Sequence, residues 1–338
     1  MTHLRRVERP TGTTRAAARV LVLVLPDVHL QDMAGPVQVM HEAAHLGGAY
    51  RIVFCGTAKT VRSAQGLLFA DLQPLPEPRP DDLVLVPGTW SERLDHVRAP
   101  VDWLRATASA GARIASICSG AFALGQAGLL DGRRCTTHWK VVARLQAENP
   151  RARVVDNCLF VDDGGIVTSA GVASGIDMAL ALVEQDFGPL VVARVSREMV
   201  VYLRRNGDHD QRSVYLDHRT HLHPGVHRVQ DWLVAHPDRK PVLGELARIA
   251  GMSERNLTRV FRRATGISPG QFAARIKAQV SRDLLADPSR TVESIAGSCG
   301  FDDARQLRRL WRKEFGTSIA AFRRQEASCM PSQPESHS

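Results

Sequence analysis

Two stretches near the end of the chain are versions of each other, and that repeat constrains the fold more than any other feature. The first is "LARIAGMSERNLTRVFRRATGISPGQF", Leu246 to Phe272, and the second is "IAGSCGFDDARQLRRLWRKEFGTSIAAF", Ile295 to Phe322. The second trails the first by 49 residues before the turn and by 50 after it, so its turn is one residue longer. Each unit reads as a short helix ending at a glycine (Gly251, Gly300), a turn, an N-cap residue (Ser253, Asp303) and a second helix. A short helix, a glycine-containing turn and a second helix make a helix-turn-helix. The spacing places Leu257, Val260 and Phe261 on the inner face of one second helix, and Leu307, Leu310 and Trp311 on the inner face of the other.

The outer faces carry the chemistry. Arg255, Thr258, Arg259 and Arg262 form one stripe, and Arg305, Arg308, Arg309 and Arg312 form another at matching positions. A helix stabilised only by ion pairs would interleave carboxylates at pairing distance, and few are present. Guanidinium groups on the second helix of a helix-turn-helix suit phosphate contacts and bidentate contacts to guanine. The chain carries a net charge of +9, and residues 241–324 hold 16 Lys+Arg against 8 Asp+Glu. A basic module beside a near-neutral one implies a polyanion binder joined to something else.

Residues 236–326 resemble the AraC/XylS DNA-binding domain, in which a long helix, here about residues 271–287, joins two helix-turn-helix units. The resemblance rests on "GISPGQF" (Gly266–Phe272) and on the pattern within "GFDDARQLRRLWRKEFGTS" (Gly300–Ser318). It implies double-stranded DNA as partner, with two recognition helices in successive major-groove faces roughly 34 Å apart. Ile319 stands where that family usually has proline after Ser318, which predicts a looser start to the final helix.

The first 17 residues are polar, basic and aperiodic and read as a disordered tail, as do residues 327–338. From Arg19 to about Gly188, apolar strands alternate with helical patterns. "RVLVLVL" (Arg19–Leu25), "YRIVFCG" (Tyr50–Gly56) and "DLVLVPG" (Asp82–Gly88) read as buried strands, and "PVQVMHEAAHL" (Pro36–Leu46) as a helix with proline at its first position. "ARVVDNCLFVDDGGIVTSAG" (Ala152–Gly171) reads as a hairpin turning at Asp163, Gly164 and Gly165. The alternation argues for a doubly wound, flavodoxin-like α/β domain over residues 18–189. "VARVSREMVVYLRRNG" (Val192–Gly207) reads as an amphipathic helix inside a linker over residues 190–235. Five of the thirteen histidines fall between Gly207 and His227, without metal-ligand spacing, so neither metal nor cofactor is implied.

"ASICSGAFALGQAGLLDGRRCTTHW" (Ala115–Trp139) runs a strand into Cys118 and a helix out of it, with His138 twenty residues later. A nucleophile at a strand-to-helix turn is an elbow arrangement. The following helix N-terminus is expected to lower the thiol pKa. His138 is positioned as a base, Asp32 in "LQDMAGP" supplies a carboxylate, and Gly88 and Thr89 in "LVPGTW" offer amides for an oxyanion. Cys55, Cys135, Cys158 and Cys299 fall in strands or helix cores and read as packed hydrophobes.

Over residues 18–188 these pieces resemble the PfpI-like branch of the glutamine-amidotransferase-like fold. Its hydrolases carry histidine directly after the nucleophile, where this chain has Ser119, and no acid follows His138 closely. The fusion of the two domains resembles the GlxA-type regulators, as do "TSAGVASGIDMAL" (Thr168–Leu180) and "GLLDGRRCTTHW" (Gly128–Trp139). That resemblance implies a regulator rather than an enzyme, with a small, nitrogen-containing effector near Asp32, Gly88, Thr89, Cys118, Ser119 and His138. It also implies a homodimer through the α/β domain and, for an activator, contact with RNA polymerase. Three readings of Cys118 stay open: a relic lining a ligand pocket, a redox or electrophile sensor, or a centre of hydrolase or amidase turnover. No apolar stretch reaches membrane-spanning length, and a cytoplasmic, nucleoid-associated protein is expected.

Overall fold

Alternation along the first strand sorts the N-terminal part of the chain into layers. The computed structural model describes residues 18–90, 98–156, 158–201, 205, 207, 211, 218–285 and 287–329, with side chains to 324. The chain divides into two units after Gln211. The tail assigned to residues 1–17 lies outside the described residues.

The first unit begins with β1 (Ala18–Leu23), α1 (Leu30–His45), β2 (Tyr50–Cys55), β3 (Val61–Arg62), β4 (Leu68–Phe69), β5 (Leu83–Val86), α2 (Val101–Ser109) and β6 (Arg113–Ile117). It continues with α3 (Ala121–Gln126), β7 (Arg134–Cys135), α4 (Val142–Glu148), β8 (Arg153–Val154), β9 (Phe160–Asp163), β10 (Ile166–Ser169), α5 (Ala173–Phe187) and α6 (Pro189–Glu198). The main sheet has the order β2-β1-β5-β6-β10-β9. Its strands pair in parallel except β10 with β9, which form the hairpin expected from the two glycines. Gly164 and Gly165 both take positive φ there, at 62° and 84°, which suits a two-residue hairpin turn.

Val20 and Val22 of β1 point to one face, into a core with Val39, Met40 and Ala43 of α1, Met178, Leu182 and Val183 of α5, and Val192 and Val195 of α6. Leu21 and Leu23 point to the other face, with Leu104 of α2, Phe122 and Leu124 of α3, and Leu145 of α4. Both faces are covered, which is why the strands read as continuous apolar runs rather than alternating ones.

Helix α1 starts six residues before the expected proline start. Pro36 sits inside it, and the first turn carries Asp32. Around the proline, α1 and α5 cross closely at glycines. A Cβ on Gly35 would lie 2.9 Å from Ile176, and one on Gly175 would lie 3.2 Å from Pro36.

The second unit is all-α: α7 (Pro224–Ala235), α8 (Leu243–Ala250), α9 (Glu254–Thr265), α10 (Pro269–Leu285), α11 (Val292–Ser298), α12 (Ala304–Phe315) and α13 (Ile319–Cys329). The linker assigned to residues 190–235 is therefore packed at both ends. Helix α6 buries Val192 and Val195 in the first unit, and α7 buries Val226, Val229 and Leu233 in the second. The amphipathic helix read to Gly207 stops at Glu198, and Val200 turns to a φ of 54°. Three residues assigned to the C-terminal tail, 327–329, belong to α13, and 330–338 lie outside the described residues.

Candidate functional site

The helix-turn-helix units form as the repeat requires. Helix α8 ends at Gly251 and α9 at Gly266, both left-handed, and Ser253 caps α9 by accepting from the Asn256 amide. Asp303 caps α12 by accepting from the Gln306 amide at 2.8 Å. Leu257 and Phe261 are fully buried in one core, and Leu307 and Trp311 in the other. Helix α10 begins with a reciprocal box in which Ser268 Oγ accepts from the Gln271 amide and Gln271 Oε1 from the Ser268 amide. The looser start expected at Ile319 is not present. Ser318 Oγ caps α13 by accepting from the Ala321 amide at 3.1 Å, and Ile319 is buried in the second core.

All eight stripe residues, Arg255, Thr258, Arg259, Arg262, Arg305, Arg308, Arg309 and Arg312, are exposed. Arg259 is steadied by Asn256 Oδ1 at 2.8 Å, and Thr258 Oγ1 donates to the Glu254 carbonyl. Arg308 pairs with Glu293 at 3.0 Å, so one guanidinium of the stripe does have a carboxylate partner. Among the described residues, the side chains of Arg255, Arg262, Arg305, Arg309 and Arg312 make no hydrogen bond or ion pair. Arg308, Arg309, Arg312 and Lys313 share one solvent-facing side of α12. A cationic helix face of this kind is suited to phosphate and base edges.

The other site gathers around Cys118. Strand β6 ends at Ile117, and Cys118 takes a φ of 56° before the chain enters a turn and then α3. The elbow read from the sequence is present. Gly120 must be glycine, because a Cβ there would lie 2.0 Å from the Val86 carbonyl oxygen. Gly171 must be too, since its Cβ would lie 2.3 Å from Cys118 Cβ. Val172, the next residue, takes a φ of 49°, which is costly for a β-branched side chain. Its amide donates to Asp32 Oδ1 at 2.7 Å. Two strained residues thus face each other at the C-terminal edge of the sheet, where ligands of open α/β folds bind.

Asp32, Gly88, Cys118 and Ser119 meet as expected. A Cβ on Gly88 would lie 2.5 Å from Asp32 Oδ2 and 2.9 Å from both Cys118 Cβ and Ser119 Oγ. Asp32 is buried, and among the described residues Oδ2 has no close hydrogen-bond partner besides the neighbouring Cys118 thiol. Burial pushes its carboxyl above the ordinary range against the opposing effect of the Val172 amide.

The expectation of a lowered thiol pKa is overturned. Burial pushes the Cys118 thiol well up, and the Asp32 charge adds to that. The Ser119 amide at the start of the turn acts in the lowering direction, as a helix N-terminus should, but it is outweighed. The expected oxyanion amide is also in use, since the Thr89 N–H donates to Ser119 Oγ at 2.9 Å, and that hydroxyl donates to the Thr89 carbonyl at 2.6 Å. His138 caps the turn at Trp139–Val141, its Nδ1 accepting from the Lys140 amide at 3.4 Å. Burial, then Lys140 and His29, hold its pKa down, and among the described residues no hydrogen bond joins it to the thiol.

The structure adds residues the sequence did not single out. His29 stacks on Trp90 with centroids 5.9 Å apart, and its charge acts on both Asp32 and His138. Trp90 and Trp139 are exposed on this rim. Thr137 Oγ1 donates to the Cys118 carbonyl at 2.8 Å, and Gln211 Nε2 donates to the Thr137 carbonyl at 2.9 Å. Cys55, Cys135, Cys158 and Cys299 are buried, as their packing role requires.

The comparisons with known proteins agree with this division. The model of the DJ-1/PfpI family matches residues 18–185, and that of a helix-turn-helix domain matches residues 246–325. The chain is 29% identical to the HTH-type transcriptional regulator GbdR of Pseudomonas aeruginosa over 300 residues, covering 87% of this chain and 81% of that protein. It is 28% identical to the HTH-type transcriptional regulator GlxA of Rhizobium meliloti, covering 94% of this chain and 99% of that one. It is 30% identical to the isonitrile hydratase of Pseudomonas putida over 176 residues, which is 51% of this chain and 73% of the enzyme. With an α/β elbow domain in front and paired recognition helices behind, the chain belongs to the DJ-1/PfpI family in its first domain, carries an AraC-type helix-turn-helix domain in its second, and is a transcriptional regulator of the GlxA type.

Proposed function

We propose that this regulator binds specific duplex DNA through α9 and α12, and that a small metabolite seated against Cys118 sets its activity. The observation that carries the ligand reading is Asp32 Oδ2, a buried acceptor whose neighbouring donor is the partly buried Cys118 thiol. A thiol is a weak donor, and a buried acceptor without a strong one costs up to about 1–3 kcal/mol. A ligand N–H or O–H donor entering the site recovers that cost, which fits a nitrogen-containing effector. Thr137 and Gln211 give the site a route outward. Thr137 holds the Cys118 carbonyl, Gln211 holds the Thr137 carbonyl, and the chain leaves the first unit immediately after Gln211.

The same geometry argues against turnover as the main role. A cysteine nucleophile acts as thiolate, and here burial and Asp32 favour the thiol. The base has no hydrogen bond to it, and Ser119 occupies the Thr89 amide. A second reading, retained hydratase-type or hydrolase-type chemistry, is favoured by the similarity to an isonitrile hydratase. Electrophile or redox sensing is a third, and the protonated thiol counts against it.

Dimerisation through the α/β domain, contact with RNA polymerase as an activator, and residence in the cytoplasm at the nucleoid complete the proposal. Among the described residues no helix is long and apolar enough to cross a membrane. The test is Cys118→Ala in the full chain. The sensing reading expects unliganded DNA affinity to persist and the response to effector to change. Steady turnover of an amide, ester, nitrile or isonitrile that disappears in the variant would replace it with the catalytic reading.

A further inference from the structure

The two helix-turn-helix units have separate cores. One gathers α7, α8, α9 and the start of α10, and the other gathers the end of α10 with α11, α12 and α13. A single helix through two cores leaves each free to rock about it. A polar knot beside α10 closes that freedom. Lys277 of α10 is only 8% exposed, and its Nζ donates to two backbone carbonyls. One is Pro237, 2.7 Å away, in the loop between α7 and α8. The other is Cys299, 2.5 Å away, at the end of α11. The first carbonyl lies in the loop that leads into the first unit of the repeat, and the second lies within the other unit.

The same loop and turn touch directly. Gly300, at a φ of 68°, lies so close to the Asp238 carbonyl that a Cβ there would be 1.7 Å from its oxygen. Lys240 pairs with Asp302 at 2.5 Å on the surface above. Phe301 packs its ring 5.4 Å from the Lys277 ammonium. The segment 299–302 is the turn that delivers α12.

We propose that Lys277 is a positioning residue for DNA recognition: by tying the Pro237 and Cys299 carbonyls together it fixes α12 relative to α9, and so fixes the spacing between the two blocks of bases they read. A buried ammonium must keep its acceptors, because losing one leaves a charged donor unpaired. Displacing either unit breaks one of the two bonds, and the pair of recognition helices therefore moves as one body. The inference rests on DNA binding by both recognition helices and adds what sets the register between them.

The experiment selects duplexes from a random-sequence library with the full chain, as wild type, Lys277→Met and Gly300→Ala. Wild type is expected to recover two preferred blocks at one spacing. Inserting one base pair between them rotates one block by about 34° and should weaken wild-type binding roughly tenfold. Lys277→Met should keep the base preference within each block yet accept spacings one base pair longer or shorter, with a loss below roughly threefold. Gly300→Ala pries the same loop from the same turn and reads the same property should Lys277→Met fail to fold. A single retained spacing in a folded variant, with affinity lowered evenly for all sequences, would show a merely structural lysine and overturn the inference alone. Several spacings for wild type would overturn it too. No enriched sequence for wild type would overturn the reading of DNA recognition and this inference with it.

Discussion

At the scale of single residues, Cys118 is held as a thiol by burial and by the carboxylate of Asp32. A group whose pKa is raised carries less thiolate at neutral pH. Alkylation of Cys118 by iodoacetamide at pH 7 should therefore be slow, and its rate should still be climbing above pH 9. Asp32→Asn removes the neighbouring charge and should speed labelling at pH 7. A plateau in the wild-type rate below pH 8, or no change in Asp32→Asn, would contradict this. On the DNA side, Arg259→Ala or Arg309→Ala should cost about 1–3 kcal/mol and relax preference at one base position. Uniform weakening across sequences would assign that arginine to phosphate. The arginine stripes were legible in the sequence because helical periodicity alone places them, and Asp32, Gly88, Cys118 and Ser119 because the elbow fixes its own surroundings. Val172 and Lys277 were not. The strain at Val172 arises only when the loop before α5 closes over Cys118, and a lysine on an amphipathic helix reads as solvated until two loops pack over it.

At the scale of elements, the caps decide how firmly each recognition helix is presented. Asp303 accepts at 2.8 Å with a charged oxygen, and Ser253 at 3.4 Å with a neutral one. Charge-assisted bonds are the stronger kind. Asp303→Ala should cost about 1 kcal/mol or more and Ser253→Ala less, measured by chemical denaturation of the full chain. Equal losses would show that cap geometry does not distinguish the two helices. The strands of the first domain were legible as continuous apolar runs, and the hairpin as a pair of glycines. The start of α1 was not, because Pro36 is an ordinary N1 residue by sequence and only the α1–α5 crossing shows it inside the helix. Helix α6 was legible as an amphipathic pattern, though it starts earlier and stops sooner than the pattern does, whereas α7 was hidden behind the polar, histidine-rich segment before it. Helix α7 buries only Val226, Val229 and Leu233, too few for its period to stand out.

At the scale of the whole molecule, the chain carries one domain with a buried carboxylate beside a thiol and another with a face of surface cations. The surplus of 16 basic over 8 acidic residues in 241–324 predicts DNA affinity that falls steeply with salt, by about 0.9 in log K per phosphate contacted for each unit of log salt. Size-exclusion at micromolar concentration should show self-association, and a monomer bound to promoter DNA would remove the dimer from the proposal. The most direct test is fluorescence anisotropy on a duplex recovered by genomic footprinting. Wild type, Asp32→Asn and Cys118→Ala are titrated with and without a panel of small amines and amino-acid derivatives. The account predicts that at least one compound shifts wild-type affinity, that both variants lose or alter that shift, and that all three proteins bind the bare duplex alike. An effector response unchanged by both substitutions would contradict it.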